Sequence, residues 1–276
     1  MKRTILMMMF AALFSGGVNA QTQPLSRENY LHLMNLYNSS GNYDKLLECS
    51  LEAVNVYPDF ALAYSIAGLA YSEQKQYNQA IAVLQKAVAI DPDFAEAYAG
   101  MGVIYAELND YNEAIQCYQK AIGINPNFAG AYYNMGIIYD KLEEYSEAIR
   151  CFQKAAVINP NFAEAYYNMG LAYDKLEEYG EAIQCYQKAI DINPNHAKAY
   201  INMGSVYGNS KDYNEAIRCF RKATVIDPNF AEAYYNMGLA YDKLEEYGEA
   251  IQCYQKASQL GHYEAQEWLD KNGKCR

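Results

Sequence analysis

The sequence predicts an all-α protein, a solenoid of stacked helix-turn-helix repeats 34 residues long. Three observations predict it. All prolines but Pro24 fall at one spacing: Pro58, Pro92, Pro126, Pro160, Pro194 and Pro228 are each 34 residues apart, and a fixed period of roughly 20–50 residues marks a repeat array. The stretch PNFAEAYYNMGLAYDKLEEYGEAIQCYQKA stands unchanged at residues 160–189 and 228–257. Each unit also holds two stretches of helical apolar periodicity. A helix pair cannot bury its apolar face alone, so stacking copies makes a continuous core, and duplicating a good unit lengthens the molecule.

The chain opens MKRTILMMMFAALFSGGVNA, with two cations, an apolar run from Ile5 to Phe14 and small residues ending at Ala20. This reads as a secretory signal peptide over 1–20, and predicts an exported protein, periplasmic or secreted, whose first residue is Gln21. The run is too short for a membrane span, which needs about 20 apolar residues. Without residues 1–20, 20 cations face 33 anions, a net charge of −13. Such a field repels phosphate backbones and favours neutral or basic partners, which argues against nucleic acid.

A short lead, 21–26, precedes seven repeats over 27–264, beginning at Arg27, Ala61, Ala95, Ala129, Ala163, Ala197 and Ala231. With the proline at repeat position 32, the first helix of each unit has its packing residues at positions 4, 7, 8 and 11, as in Tyr166, Met169, Gly170 and Tyr173. The second has them at 17, 20, 21, 24, 27 and 28, as in Tyr179, Ala182, Ile183, Tyr186, Ala189 and Ile190. The residue before each proline is pushed out of the helical region, which stops the second helix. Asp93, Asn161 and Asn229 stand three residues before Glu96, Glu164 and Glu232, the spacing of a capping box for the next helix. Residues 265–276 form a closing helix and tail, with Trp268 as a core plug.

These residues resemble the tetratricopeptide repeat family, whose 34-residue pattern has an aromatic at 4, Leu-Gly-like residues at 7 and 8, Tyr at 11, Ala at 20, an aromatic at 24, Ala at 27 and Pro at 32. Repeat 4 matches with Tyr132, Met135, Gly136, Tyr139, Ala148, Phe152, Ala155 and Pro160. Repeat 1 departs at Leu46 and Ser50, and repeat 7 has His262 in place of proline. The resemblance implies a right-handed superhelix and a concave groove that holds peptides.

Six cysteines recur at position 23: Cys49, Cys117, Cys151, Cys185, Cys219 and Cys253. Equivalent helices stack roughly 8–10 Å apart, beyond the ~7 Å Cα limit for a disulfide, so small apolar filling and free thiols are expected. The lysine row at position 26, Lys86 to Lys256, lies in the last turn of the second helix, opposite the glutamates of the first turn, as the helix dipole favours. It reads as a solvated convex face. His32, His196 and His262 are scattered, and no phosphate loop, nucleophile elbow or Cys-x-x-Cys spacing occurs. No catalytic residue, cofactor or metal is expected.

The surface that remains is the first helix away from its core, positions 2, 5, 6, 9, 12 and 13. The resemblance implies that this side lines the groove. It reads Tyr133, Asn134, Ile137, Asp140, Lys141 in repeat 4, Tyr167, Asn168, Leu171, Asp174, Lys175 in repeat 5, and Tyr235, Asn236, Leu239, Asp242, Lys243 in repeat 7. Asn202 continues the asparagine row in repeat 6. Asparagine carries a donor and an acceptor, so an exposed row can pair with any peptide backbone; tyrosine adds flat contact area. The alternative is that the asparagines bond their own helix or water. Only Lys198 and the asparagines match the residues with which some family members clamp a C-terminal carboxylate, so that clamp is incomplete. The predicted function is a non-enzymatic scaffold that binds a protein or peptide, against a second reading as a self-associating structural solenoid.

Overall fold

The computed structural model describes residues 24–272, which hold fifteen α-helices and no strand. The expected signal peptide over 1–20 and Cys275 lie outside the described residues. The first helices of the seven units are α1 (Arg27–Ser39), α3 (Ala61–Glu73), α5 (Ala95–Glu107), α7 (Ala129–Lys141), α9 (Ala163–Lys175), α11 (Ala197–Asn209) and α13 (Ala231–Lys243). The second helices are α2 (Tyr43–Val56), α4 (Tyr77–Ile90), α6 (Tyr111–Ile124), α8 (Tyr145–Ile158), α10 (Tyr179–Ile192), α12 (Tyr213–Ile226) and α14 (Tyr247–Gln259), and α15 (Tyr263–Asn272) closes the stack.

Two joints repeat. Within a unit, position 15 turns into the left-handed region: Gly41 in the first unit, and Lys75, Asn109, Glu143, Glu177, Lys211 and Glu245 in the others, with φ between 58° and 63°. The Glu178 N–H then donates to the Tyr173 carbonyl at 2.9 Å and the Glu177 N–H to that of Asp174 at 3.0 Å, the two bonds of a Schellman ending. Between units, the residue before proline leaves the helical region, and at five of the six prolines an Asn or Asp there accepts from the backbone two residues on, as in Asn161 N–H to Asn159 Oδ1 at 3.2 Å; before Pro58 the residue is Tyr57, whose hydroxyl donates to the Leu25 carbonyl. The capping box expected at Asp93, Asn161 and Asn229 does not form. The next helices begin at Ala95, Ala163 and Ala231, with Phe94, Phe162 and Phe230 as N-caps that make no side-chain cap bond. The Asx turn uses position 31 instead, which moves the helix start one residue downstream.

The core also shifts from the expected register. Positions 7 and 8 are buried, but the fully buried partners on the first helix are at 3 and 10, as in Ala165 and Ala172, while Tyr166 and Tyr173 at 4 and 11 are half-buried. The reason is that each first helix from α3 onward packs on its own second helix and on the preceding one, which needs a broader apolar face than one contact does. Alanine at positions 20 and 27, such as Ala182 and Ala189, is 0% exposed and lets the backbones approach. Position 8 goes further: a Cβ on Gly170 would lie 2.7 Å from Tyr186 Cε1, and one on Gly136 2.7 Å from Phe152 Cε1. The glycine is the seat of the position-24 ring.

Successive first helices touch each other along the stack more than successive second helices do, so the stack bends with the first helices inside. The six ladder cysteines are free, and all but the half-buried Cys117 are buried; burial pushes the Cys151 thiol up to about 11 and the Cys185 thiol up to about 12. At the end of the stack, Gly261 at φ +91° ends α14, and α15 starts at Tyr263, two residues before the expected 265. Trp268 lies on Tyr254, ring centroids 4.2 Å apart, beside Ala250 and Ala257.

Candidate functional site

The inner face is built from the exposed side of α7, α9, α11 and α13. Position 5 carries a tyrosine in three of these helices, and each is held between two rings. Tyr133 lies 4.7 Å from Phe162 and 5.8 Å from Phe152. Tyr167 lies 4.6 Å from His196 and 6.0 Å from Tyr186. Tyr235 stacks on His262 at 4.2 Å and touches Tyr254 at 5.8 Å. His262, which replaces the repeat proline, thus supplies the ring that Phe162 and His196 supply elsewhere.

The asparagine row is less free than the sequence suggests. Asn168 Nδ2 donates to the Tyr133 hydroxyl at 2.9 Å, and Asn202 Nδ2 donates to the Tyr167 hydroxyl at 3.0 Å. Each bond joins position 6 of one unit to position 5 of the unit before. Asn134 finds Ala99 at that place and bonds the Tyr118 hydroxyl instead. Asn236 finds Ile201 there and has no hydrogen-bond partner among the described residues. All four are half-buried, so the expectation of a fully exposed row is corrected. Neither the own-helix bond nor a bare surface describes Asn168 and Asn202, which tie neighbouring units together. Their carbonyl oxygens take no hydrogen bond from the described residues and remain acceptors.

Acidic and basic groups follow at positions 12 and 13. Asp140, Asp174 and Asp242 are half-buried, and Lys141, Lys175 and Lys243 are exposed. Burial raises the carboxyl pKa of Asp140 and Asp174, against the opposing pull of Lys175. Neither takes a hydrogen bond from the described residues. They are therefore acceptors short of a donor, and a bound cation or N–H would draw those pKa values back down.

His196 was a scattered residue in the sequence, and here it serves the site. Its Nδ1 accepts the Ala199 N–H at 3.2 Å as the N-cap of α11, which requires an unprotonated Nδ1. Burial lowers its pKa below the ordinary 6.5, with Lys198 acting the same way and Glu164 opposing. A depressed folded pKa stabilises the fold above the unfolded value, and that contribution is lost as pH falls through the folded one. In thermal melts, the parent is expected to lose stability relative to His196→Asn, which caps without titrating, as pH falls below about 6.5, with a constant difference above pH 7.

Tetratricopeptide repeat profiles match residues 129–162, 163–196 and 231–261, further TPR profiles match 68–109, 102–143 and 209–245, and another matches 185–218. The chain belongs to the tetratricopeptide repeat family. Among solved structures, the TPR stack is similar to MamA, at 31% identity over 60% of this chain and 97% of that one, with a TM-score of 0.57. It is similar to YrrB, described as a TPR protein with an unusual peptide-binding site, at 28% identity over 68% of this chain and 97% of that one, with a TM-score of 0.60. PilF of Pseudomonas aeruginosa shares the fold, at 22% identity over 77% of this chain and 97% of that one, with a TM-score of 0.63. Comparison with curated proteins returns no match. Proteins of this TPR type serve as protein-interaction scaffolds, and no helix among the described residues is long and apolar enough to cross a membrane. The described residues also hold no group of three or more His, Cys, Asp or Glu side chains able to hold a metal ion.

Proposed function

We propose that this TPR protein is a non-enzymatic scaffold of the cell envelope, exported by cleavage after Ala20, that binds an extended segment of a partner protein along its inner face. The observation that carries the reading is the row of half-buried, unused acceptors on α7, α9 and α11: the Asn168 and Asn202 carbonyl oxygens and the carboxylates of Asp140 and Asp174. Acceptors in such a row suit the N–H groups of a peptide backbone and basic side chains, and the net charge favours neutral or basic partners over nucleic acid. The peptide-binding site described for YrrB supports a peptide as the ligand. End-to-end self-association would need an apolar end, whereas the last helix presents Glu267, Asp270 and Lys271 to solvent.

The test is a photoreactive amino acid placed in the exported protein, at Leu171 on the inner face or at Gln187 on the outer one. Adducts to a partner polypeptide are expected from Leu171 and not from Gln187. Adducts confined to Gln187 would contradict the reading.

A further inference from the structure

The inner face is not uniform, and its break falls at repeat 6. Where repeats 4, 5 and 7 have Tyr at position 5, Ile or Leu at 9 and Asp at 12, repeat 6 has Ile201, Ser205 and Gly208. All three changes shorten the side chain, and Ser205 and Gly208 stand side by side on the groove. They line a notch of about 260 Å³ between α11 and α13, floored by α12. Phe220, Leu239, Ala240 and the Tyr213 ring line its apolar part, and Ser205, Asn209 and Lys243 are among its polar groups. A Cβ added at Gly208 would meet nothing within 4 Å, so the space in front of this glycine is open.

Asn236 lines the notch as well. It is the residue of the asparagine row whose amide has no hydrogen-bond partner among the described residues, because Ile201 stands where Asn168 and Asn202 find a tyrosine hydroxyl. The same Asn236 lines a second, wider hollow of about 710 Å³ on its other side. That hollow holds the carboxylates of Asp227, Glu232 and Glu264 and no lysine or arginine. An amide with both a donor and an acceptor free, between an apolar notch and an acidic hollow, matches one peptide residue and its neighbour.

We infer that the inner face between repeats 6 and 7 is an anchor site for an extended peptide, with an aliphatic side chain in the Gly208 notch, its backbone on the Asn236 amide and a lysine or arginine beside it over the acidic hollow. The site rests on the peptide-binding reading above and names the residue type that reading leaves open. The notch is below the roughly 300–1,000 Å³ of a drug-sized pocket, which suits a single side chain rather than a cofactor. A short apolar anchor with a paired backbone gives specificity, because an analogue lacking either part leaves the other unpaired.

The test uses a displayed library of linear random dodecapeptides, selected on the exported protein, with the enriched peptides then measured on variants. Enriched sequences are expected to carry an aliphatic residue next to a basic one. Binding is expected to fall at least tenfold on Gly208→Asp, which restores the residue of the other repeats and fills the notch, and on Asn236→Ala. Both variants are expected to keep the parent's melting temperature, so a loss of binding is not a loss of fold. If Gly208→Asp melts early, Ser205→Leu replaces it as the filling variant. Peptides that bind the inner face but are held equally by the filled and parent notches would overturn the anchor site while leaving the peptide-binding reading in place. No peptide enriched on the inner face would overturn both.

Discussion

Tyr186→Ala is expected to lower the unfolding free energy by about 3–5 kcal/mol, the range for deleting a buried aromatic side chain. The ring is 0% exposed, sits on Gly170 and supports Tyr167 on the inner face. Its loss therefore opens a cavity between the two helices of repeat 5 and loosens the groove above it. Tyr186→Phe should behave in the opposite way. The Tyr186 hydroxyl is buried with no hydrogen-bond partner among the described residues, and removing an unpaired buried hydroxyl is neutral or stabilising by up to about 1–3 kcal/mol. Phe152 and Phe220 already stand at the same position of repeats 4 and 6. Tyr118→Phe, in contrast, should lose about 1 kcal/mol because that hydroxyl bonds Asn134. Gly170→Ala should destabilise too. The overpacking cost of about 1–3 kcal/mol exceeds the helix-propensity gain of at most about 1 kcal/mol, because a ring closed in on all sides cannot swing away. Combined with Tyr186→Ala, the added methyl sits in the space the ring leaves, so the double variant should lose less than the sum of the two. Urea unfolding followed by circular dichroism reads all five.

Replacing Asn168 and Asn202 together by alanine is expected to weaken partner binding roughly 5- to 150-fold, from two hydrogen bonds of about 0.5–1.5 kcal/mol each. Groups standing free on a groove would leave stability unchanged. The structure alters that expectation, because each amide also donates to a tyrosine of the preceding unit, and the same variant should lose roughly 0.5–1.5 kcal/mol of stability per bond. The two effects separate in Tyr133→Phe with Tyr167→Phe. That pair removes the bonds between units but keeps the amides, so stability should fall as before while much of the binding survives. Lys188→Ala with Lys222→Ala, on exposed outer positions, should change neither. Isothermal titration of a recovered partner, alongside thermal melts, distinguishes these outcomes.

The contrast between the two sets of residues shows what the sequence carries plainly. Proline at position 32, alanine at 20 and 27 and glycine at 8 are dictated by local backbone geometry and close approach, so they recur at one spacing and can be read from it. Positions 3 and 10 are not legible in this way, because a single helical face accounts for one packing contact, whereas each first helix from α3 onward makes two. The capping-box spacing misleads because Asp93, Asn161 and Asn229 sit one residue before the true N-caps, Phe94, Phe162 and Phe230, where the Asx turn at position 31 claims their backbone N–H. The Asn-to-Tyr bonds do have a signal in the sequence, a separation of 35 residues, since Tyr133 and Tyr167 precede Asn168 and Asn202 by that distance. It is invisible to a helical wheel, which shows one unit at a time. The notch at Gly208 is legible only as a departure from the repeat, once the structure shows that position 12 faces the groove.

Binding of a partner segment along the asparagine row of the inner face is read from the side-chain amide resonances of those residues. In nuclear magnetic resonance titrations of the exported protein with a recovered partner segment, the amide signals of Asn168, Asn202 and Asn236 should shift saturably, while those of Gln153, Gln187 and Gln255 on the outer helices stay in place. Shifts confined to the outer glutamines, with the asparagine signals unmoved at saturation, would contradict it.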